Sequence, residues 1–262
     1  MAAPLRKSGS VRVGTMAHGL IMSRDTIDGI VGAITEGITE DIMVEDIMAV
    51  ITVEGITAAD IMVADITTKN PDRLQIFLCR HGETEWTLTG QHTSFSEVSL
   101  TENGRKQAIM LGKRLQGIVF HKVIVSPMLR AQETCQLAGF DHRKTIEPSA
   151  MEWNYGEYEG ITTPQIWEKH ARWNIFDDGA PGGESPDEVA ERADRLLKSF
   201  IHESGNILIF SHGHFSRVFA ARWLGLQAED GKLFSLSVAS VSILAMEHDQ
   251  RVIKLWNETA QR

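Results

Sequence analysis

Leu74-Gln75-Ile76-Phe77-Leu78-Cys79 runs directly into Arg80-His81-Gly82-Glu83-Thr84. The apolar run reads as a largely buried strand, and at its end the residue type changes abruptly. An arginine and a histidine stand side by side, and the glycine after them lets the backbone turn sharply and approach a ligand. Ligands of open α/β sheets bind beyond the carboxyl ends of the strands. A cation beside an imidazole at such a point suits an anionic substrate and a nucleophile. Taken alone, the pair is equally an ordinary strand end with two polar residues.

The same switch recurs twice downstream. Lys122-Val123-Ile124-Val125 predicts a strand that runs into Ser126-Pro127-Met128-Leu129-Arg130, read as an N-cap followed by a first-turn proline. Asn206–Phe210 predicts a buried strand ending at Ser211-His212-Gly213-His214. Thr101 is the expected cap of a helix reaching about Leu115, and Ser185-Pro186-Asp187-Glu188 has the form of a capping box. A helix is expected over Phe215–Leu224, a short edge strand at Lys144–Glu147, and closing strands at Val238–Glu247 and Arg251–Trp256. Glu83 to Ser99 reads as a polar loop, and 148–184 as an irregular insertion with a short helix at Pro164–Arg172. Strands alternating with helices predict a three-layer α/β/α sandwich with a mostly parallel sheet.

Residues 1–72 have a different texture. Asp-Ile-Met recurs at 41–43, 46–48 and 60–62, with isoleucines every four or five positions, a spacing of neither helix nor strand. The expected organisation is therefore a low-complexity, disordered extension over 1–72 and one folded domain over 73–262. Charge divides in the same way. Of the net −9 of the 262-residue chain, −6 falls within residues 1–68, where four basic residues precede ten acidic ones. The remainder carries only −3, so there is no electrostatic case for nucleic acid. No apolar run approaches membrane-spanning length, and no membrane partner is expected. Two cysteines, Cys79 and Cys135, read as small core residues of a protein from a reducing compartment, the cytoplasm.

Strand ends of one parallel sheet share an edge, so Arg80, His81, Arg130 and His212 should converge there. Two guanidiniums and two imidazoles around one point make a phosphate site by charge and donor count. At this level the motifs become specific. Arg80-His81-Gly82-Glu83-Thr84-Glu85-Trp86, Leu100-Thr101-Glu102-Asn103-Gly104, Ser126-Pro127 with Arg130-Ala131, Met151-Glu152 with Tyr155-Gly156, and Ser211-His212-Gly213 occur in this order. Together they resemble the histidine phosphatase superfamily, which includes the cofactor-dependent phosphoglycerate mutases.

The resemblance implies a two-step phosphoryl transfer through a phosphohistidine. It makes His81 the nucleophile, with its second ring nitrogen held by a backbone carbonyl, and Glu152 the proton donor to the leaving oxygen. Arg80, Arg130 and His212 would hold the transferring group. Thr87 stands where mutases carry a phosphate-touching asparagine, and Thr93 lies in a substrate loop whose next position, here Ser94, is usually glycine. His214 is a further substrate donor or a spectator opening a helix. No metal and no cofactor are implied, and the partner is a small phosphorylated molecule.

The insertion has Lys169 and Arg172 but no paired arginines and no proline run, and Trp167, Trp173 and Phe176 supply aromatic walls instead. It is most similar to the sugar-phosphatase branch, which includes sedoheptulose-bisphosphatase-like enzymes. That similarity implies a phosphoric monoester hydrolase acting on a sugar phosphate or bisphosphate, with Glu184 and Ser185 bordering the substrate. Mutase-type transfer is the alternative. A catalytically silent binding protein on this fold, and a metallo-hydrolase built on His212-Gly213-His214, are rivals from other classes. The metallo-hydrolase lacks the Asp-His pair a dinuclear site would want next.

Overall fold

The computed structural model describes residues 73–259. The extension expected over 1–72 lies outside them, as do the last three residues. Strand β1 (Gln75–Arg80) is the expected apolar run, and all of its residues but Arg80 are buried. It sits inside a sheet with β2 (Lys122–Val125), β3 (Lys144–Ile146), β4 (Asn206–Ser211), β5 (Ser240–Glu247) and β6 (Gln250–Thr259). The order is β3-β2-β4-β1-β5-β6. The first four strands are parallel, and β5 and β6 extend the sheet antiparallel. The mostly parallel sheet is thus present, with an antiparallel hairpin closing one side.

Alternation along the central strands separates two cores. Ile76, Leu78, Ile207, Ile209 and Leu244 face Trp153, Phe176, Phe215 and Phe219. Phe77, Cys79, Leu208, Phe210 and Ile243 face Leu111, Leu115, Phe120 and Cys135. Helices α1 (Glu85–Thr89), α2 (Glu102–Arg114), α3 (Leu129–Leu137), α4 (Thr163–Trp167), α5 (Ile175–Asp178), α6 (Pro186–Lys198) and α7 (Gly213–Trp223) follow in chain order. The second core lies under α2 and α3, and the first under α6 and α7, so the sheet is the middle of three layers. Both cysteines are buried, and burial pushes both thiols up, as expected of core residues.

Thr101 caps α2 by accepting from the Gly104 amide at 2.9 Å, and Ser185 and Glu188 form the expected capping box on α6. Other expectations are corrected. The helix after β2 begins two residues beyond Pro127, and its capping position is Met128, with no side-chain cap. The Glu83–Ser99 loop contains α1, whose cap Thr84 exchanges hydrogen bonds with Thr87. The insertion forms α4 and α5 in place of one helix over Pro164–Arg172.

Candidate active site

The sheet register assembles the site. Arg80 at the end of β1 is paired with Ser211 at the end of β4, and the His81 amide donates to the Ser211 carbonyl at 3.0 Å. The residues after these two strands, His81 and His212, therefore stand together, with ring centroids 5.2 Å apart. Val125 is paired with Phe210, which brings Ser126 to the other side of β4. Its hydroxyl lies 2.7 Å from His212 Nε2, the role it takes in place of the expected cap.

The loop carrying His81 is fixed from below. A Cβ on Gly82 would come within 2.5 Å of the Gly104 carbonyl oxygen, and one on Gly104 would run into the Glu83 backbone. Two glycines are thus required for the loop to cross the first turn of α2. The Glu83 carboxylate accepts from the Thr101 hydroxyl at 2.6 Å and the Asn103 amide at 3.0 Å, which clamps the crossing.

His81 lies at the wall of a cavity of about 210 Å³ that also takes in Arg80, Thr87, Thr93, Glu152, Tyr155, His214 and Arg217. His81 Nδ1 is 2.8 Å from the Gly82 carbonyl oxygen, which requires the proton on Nδ1 and leaves Nε2 as the free base. Burial, then the Arg130 and Arg80 charges, hold its pKa well below the ordinary imidazole value against the opposing effect of that hydrogen bond. His212 is likewise kept low by burial first and Arg130 second. Ser126 can donate to its Nε2 while accepting from the Met128 amide at 3.3 Å, which leaves the His212 proton on Nδ1.

Four buried side-chain atoms make no hydrogen bond among the described residues: Arg80 Nε, Arg130 Nε, His212 Nδ1 and Ser216 Oγ. Three of them are nitrogens of the residues expected to hold phosphate. Buried donors are ordinarily satisfied, so each orphan lacks an acceptor; of the three residues Arg80 lines the cavity, and Arg130 and His212 are not among its lining residues. Arg80 is otherwise anchored by the Leu236 carbonyl at 2.5 Å, and a Cβ on Gly213 would sit 3.3 Å from its guanidinium carbon. Arg130, fully buried, donates from Nη1 and Nη2 to the carbonyls of Ser96, Thr93 and Ser94 at 3.0–3.2 Å, so it braces the loop from behind the cavity wall.

Glu152 is the carboxylate at the cavity. One oxygen accepts from the amides of Trp153 and Phe215 at 2.9 and 2.8 Å, and the other from His214 at 3.1 Å, so it seals the start of α7. Glu159 is engaged by Ser94 and Ser96, and Glu157 is exposed, so neither competes for that place. Thr87 and Thr93 both line the cavity, but the Thr87 hydroxyl is taken up by the Thr84 backbone at 2.8 and 2.9 Å, and Thr93 donates to the Gln91 carbonyl at 3.2 Å. His214 Nδ1 meets the Tyr155 hydroxyl. Glu184 and Ser185 do not border the cavity. Glu184 pairs with Arg192 at 2.8 Å, and Arg192 also holds the carbonyls of Ser149, Met151 and Glu152.

Tyr155 and Arg217 line the cavity without having been singled out for a role. Arg217 lies four residues after Gly213 and on the same face of α7, a helical spacing that points it toward the edge Gly213 occupies. No group of three or more His, Cys, Asp or Glu side chains gathers in a metal-holding arrangement among the described residues.

A strand-end histidine with two arginines, a second histidine and one carboxylate near it is an arrangement found in a known class. Residues 76–259 match the histidine phosphatase superfamily (branch 1), and the chain belongs to that family. It is 40% identical over 181 residues to an acid phosphatase of Mycobacterium tuberculosis, covering 68% of this chain and 89% of that protein. It is 31% identical over 183 residues to the sedoheptulose 1,7-bisphosphatase of Saccharomyces cerevisiae, covering 57% of this chain and 67% of that one. Among solved structures, that of the product of a Mycobacterium tuberculosis open reading frame superposes with a TM-score of 0.69 at 38% identity, covering 71% of this chain and 98% of the other.

Proposed function

We propose that the domain over 73–262 hydrolyses a small phosphorylated metabolite, a sugar phosphate or bisphosphate, through a phosphohistidine on His81 and without a metal. The observation that carries this reading is the trio of unpartnered nitrogens, Arg80 Nε, Arg130 Nε and His212 Nδ1, beside an imidazole whose Nε2 is free. In the first step His81 Nε2 attacks phosphorus in line and the bond to the leaving oxygen breaks. That oxygen takes its proton from Glu152, while the three donors bind the equatorial oxygens. In the second step Glu152 accepts a proton from water, whose oxygen displaces Nε2 and releases phosphate. The guanidiniums provide the charge neutralisation that a metal supplies elsewhere, and the neutral His212 imidazole adds a hydrogen bond.

The phosphatase names of the relatives at 40% and 31% identity favour hydrolysis over mutase-type transfer. Thr87, Thr93 and His214 take substrate contacts at the rim in this reading. The buried unpaired thiols fit a reducing compartment such as the cytoplasm. Release of phosphate from p-nitrophenyl phosphate and a panel of sugar phosphates tests the proposal. Turnover that survives a chelator and is lost in His81→Ala is expected. Strict metal dependence, or undiminished turnover in that variant, overturns it.

A further inference from the structure

A second cavity, of about 260 Å³, shares no lining residue with the one His81 lines, yet the two meet at a single stretch of chain. Leu236 lines the first, and Ser237, Val238 and Ala239 line the second. This four-residue strap ahead of β5 holds the catalytic pair. The Leu236 carbonyl accepts from Arg80 Nη1 at 2.5 Å, and the Ala239 amide donates to the His81 carbonyl at 2.9 Å.

The wall supplied by α2 supports the same loop. Gln107 Oε1 accepts from the Glu83 amide at 3.0 Å, and the Asn103 amide donates to the Glu83 carboxylate at 3.0 Å. An occupant of this cavity therefore touches both supports of the loop that carries His81. Ala239 has a φ of 50°, in the left-handed region that disfavours a residue with a Cβ. Its neighbour Ser237 fixes the strap, donating from its amide to Asn257 Oδ1 at 2.7 Å and accepting from the Ser240 hydroxyl at 2.8 Å. Relaxation of Ala239 would release the His81 carbonyl, so an occupant shaped to the cavity as it stands favours the arrangement that holds His81 and Arg80.

The lining defines the chemistry of that occupant. Lys106 makes no ion pair and no hydrogen bond among the described residues, and the Gln107 amide nitrogen and Ser237 hydroxyl likewise have no partner there. No carboxylate lines this cavity. Met110, 43% exposed, and Val238 supply an apolar wall. A cation and neutral donors beside such a wall suit a small anion with an apolar body.

We propose that this cavity is an effector site for a small organic anion with an apolar body, and that its occupant strengthens phosphate binding at His81 by steadying the strap between them. Occupancy is independent of the phosphatase reading, and the coupling is read with inorganic phosphate in place of turnover. The probes are hexanoate and phenylacetate, with acetate and 1-hexanol as controls for the charge and the apolar body alone. Ligand-observed NMR on the full chain measures their binding, and calorimetry measures that of phosphate.

With phosphate saturating the catalytic cavity, at least one probe should bind saturably and more tightly than either control. Lys106→Gln and Met110→Asp, both at exposed positions of α2, should weaken it roughly 5- to 10-fold, and native-like melting separates this from misfolding. By linkage, probe and phosphate should each tighten the other by the same factor, roughly fivefold or more. No saturable binding of either probe, binding unchanged in both variants, a probe displaced by phosphate, or a phosphate affinity indifferent to the probe overturns the inference and leaves the phosphatase reading intact. Phosphate that does not bind at all overturns both, whereas lack of turnover with the coupling present overturns the phosphatase reading alone.

Discussion

Acidification from pH 7.5 to 5.5 should destabilise this fold, because the site stores imidazoles in their neutral form. His81, His92 and His212 are all less than a tenth exposed. Burial lowers each of them, His92 to about 4, and the Arg130 charge adds to the effect on His81 and His212. In the unfolded chain each returns to about 6.5. Below that value the unfolded state binds protons that the folded state refuses, so stability is full above pH 6.5 and is lost as pH falls toward the folded values. Each such histidine costs about 1.4 kcal/mol at pH 5.5, roughly 4 kcal/mol for the three. Set against a typical domain stability of about 5–15 kcal/mol, that is a large fraction. Urea unfolding followed by the fluorescence of buried Trp153 and Trp173 measures it, and the midpoint should fall at pH 5.5 with an unchanged slope. An equal or higher midpoint at pH 5.5 refutes the claim that these imidazoles are held neutral.

Arg192→Ala should lower kcat more than it raises KM, because its guanidinium ties the Glu152 carbonyl and its neighbours to Glu184. Removing one partner of this largely buried pair should also cost about 3–5 kcal/mol, read from the same urea titration. Deleting residues 1–68 should leave turnover intact, since every residue placed at the site follows Leu74; a large loss in soluble truncated protein would count against that boundary.

Much of the site was legible because it is written locally. An apolar run followed at once by Arg-His or Ser-His is a strand end with chemistry on it, and parallel strands carry such ends to one edge. Once β1 and β4 pair in the observed register, His81 and His212 become neighbours with no further information. The glycine of Leu100-Thr101-Glu102-Asn103-Gly104 is explained only by the fold, since the residue it must avoid, Glu83, lies 21 residues upstream on a crossing loop.

The misreadings share one cause, a local signal outbid by a distant partner. Ser126 before a proline is a good cap by propensity, but His212, 86 residues on, takes its hydroxyl. Glu184 looked like a rim residue until Arg192 claimed it. Thr87 lines the cavity as the resemblance implied, while its hydroxyl also exchanges hydrogen bonds with the Thr84 backbone in its own helix cap. Arg217 was passed over because nothing beside it in the chain marks it. It reaches the cavity wall because α7 carries it there, four residues after Gly213. A net charge of −9 over the whole chain hides this, because Arg80 and Arg217 meet at one cavity wall, with Arg130 held behind it, only once the chain has folded.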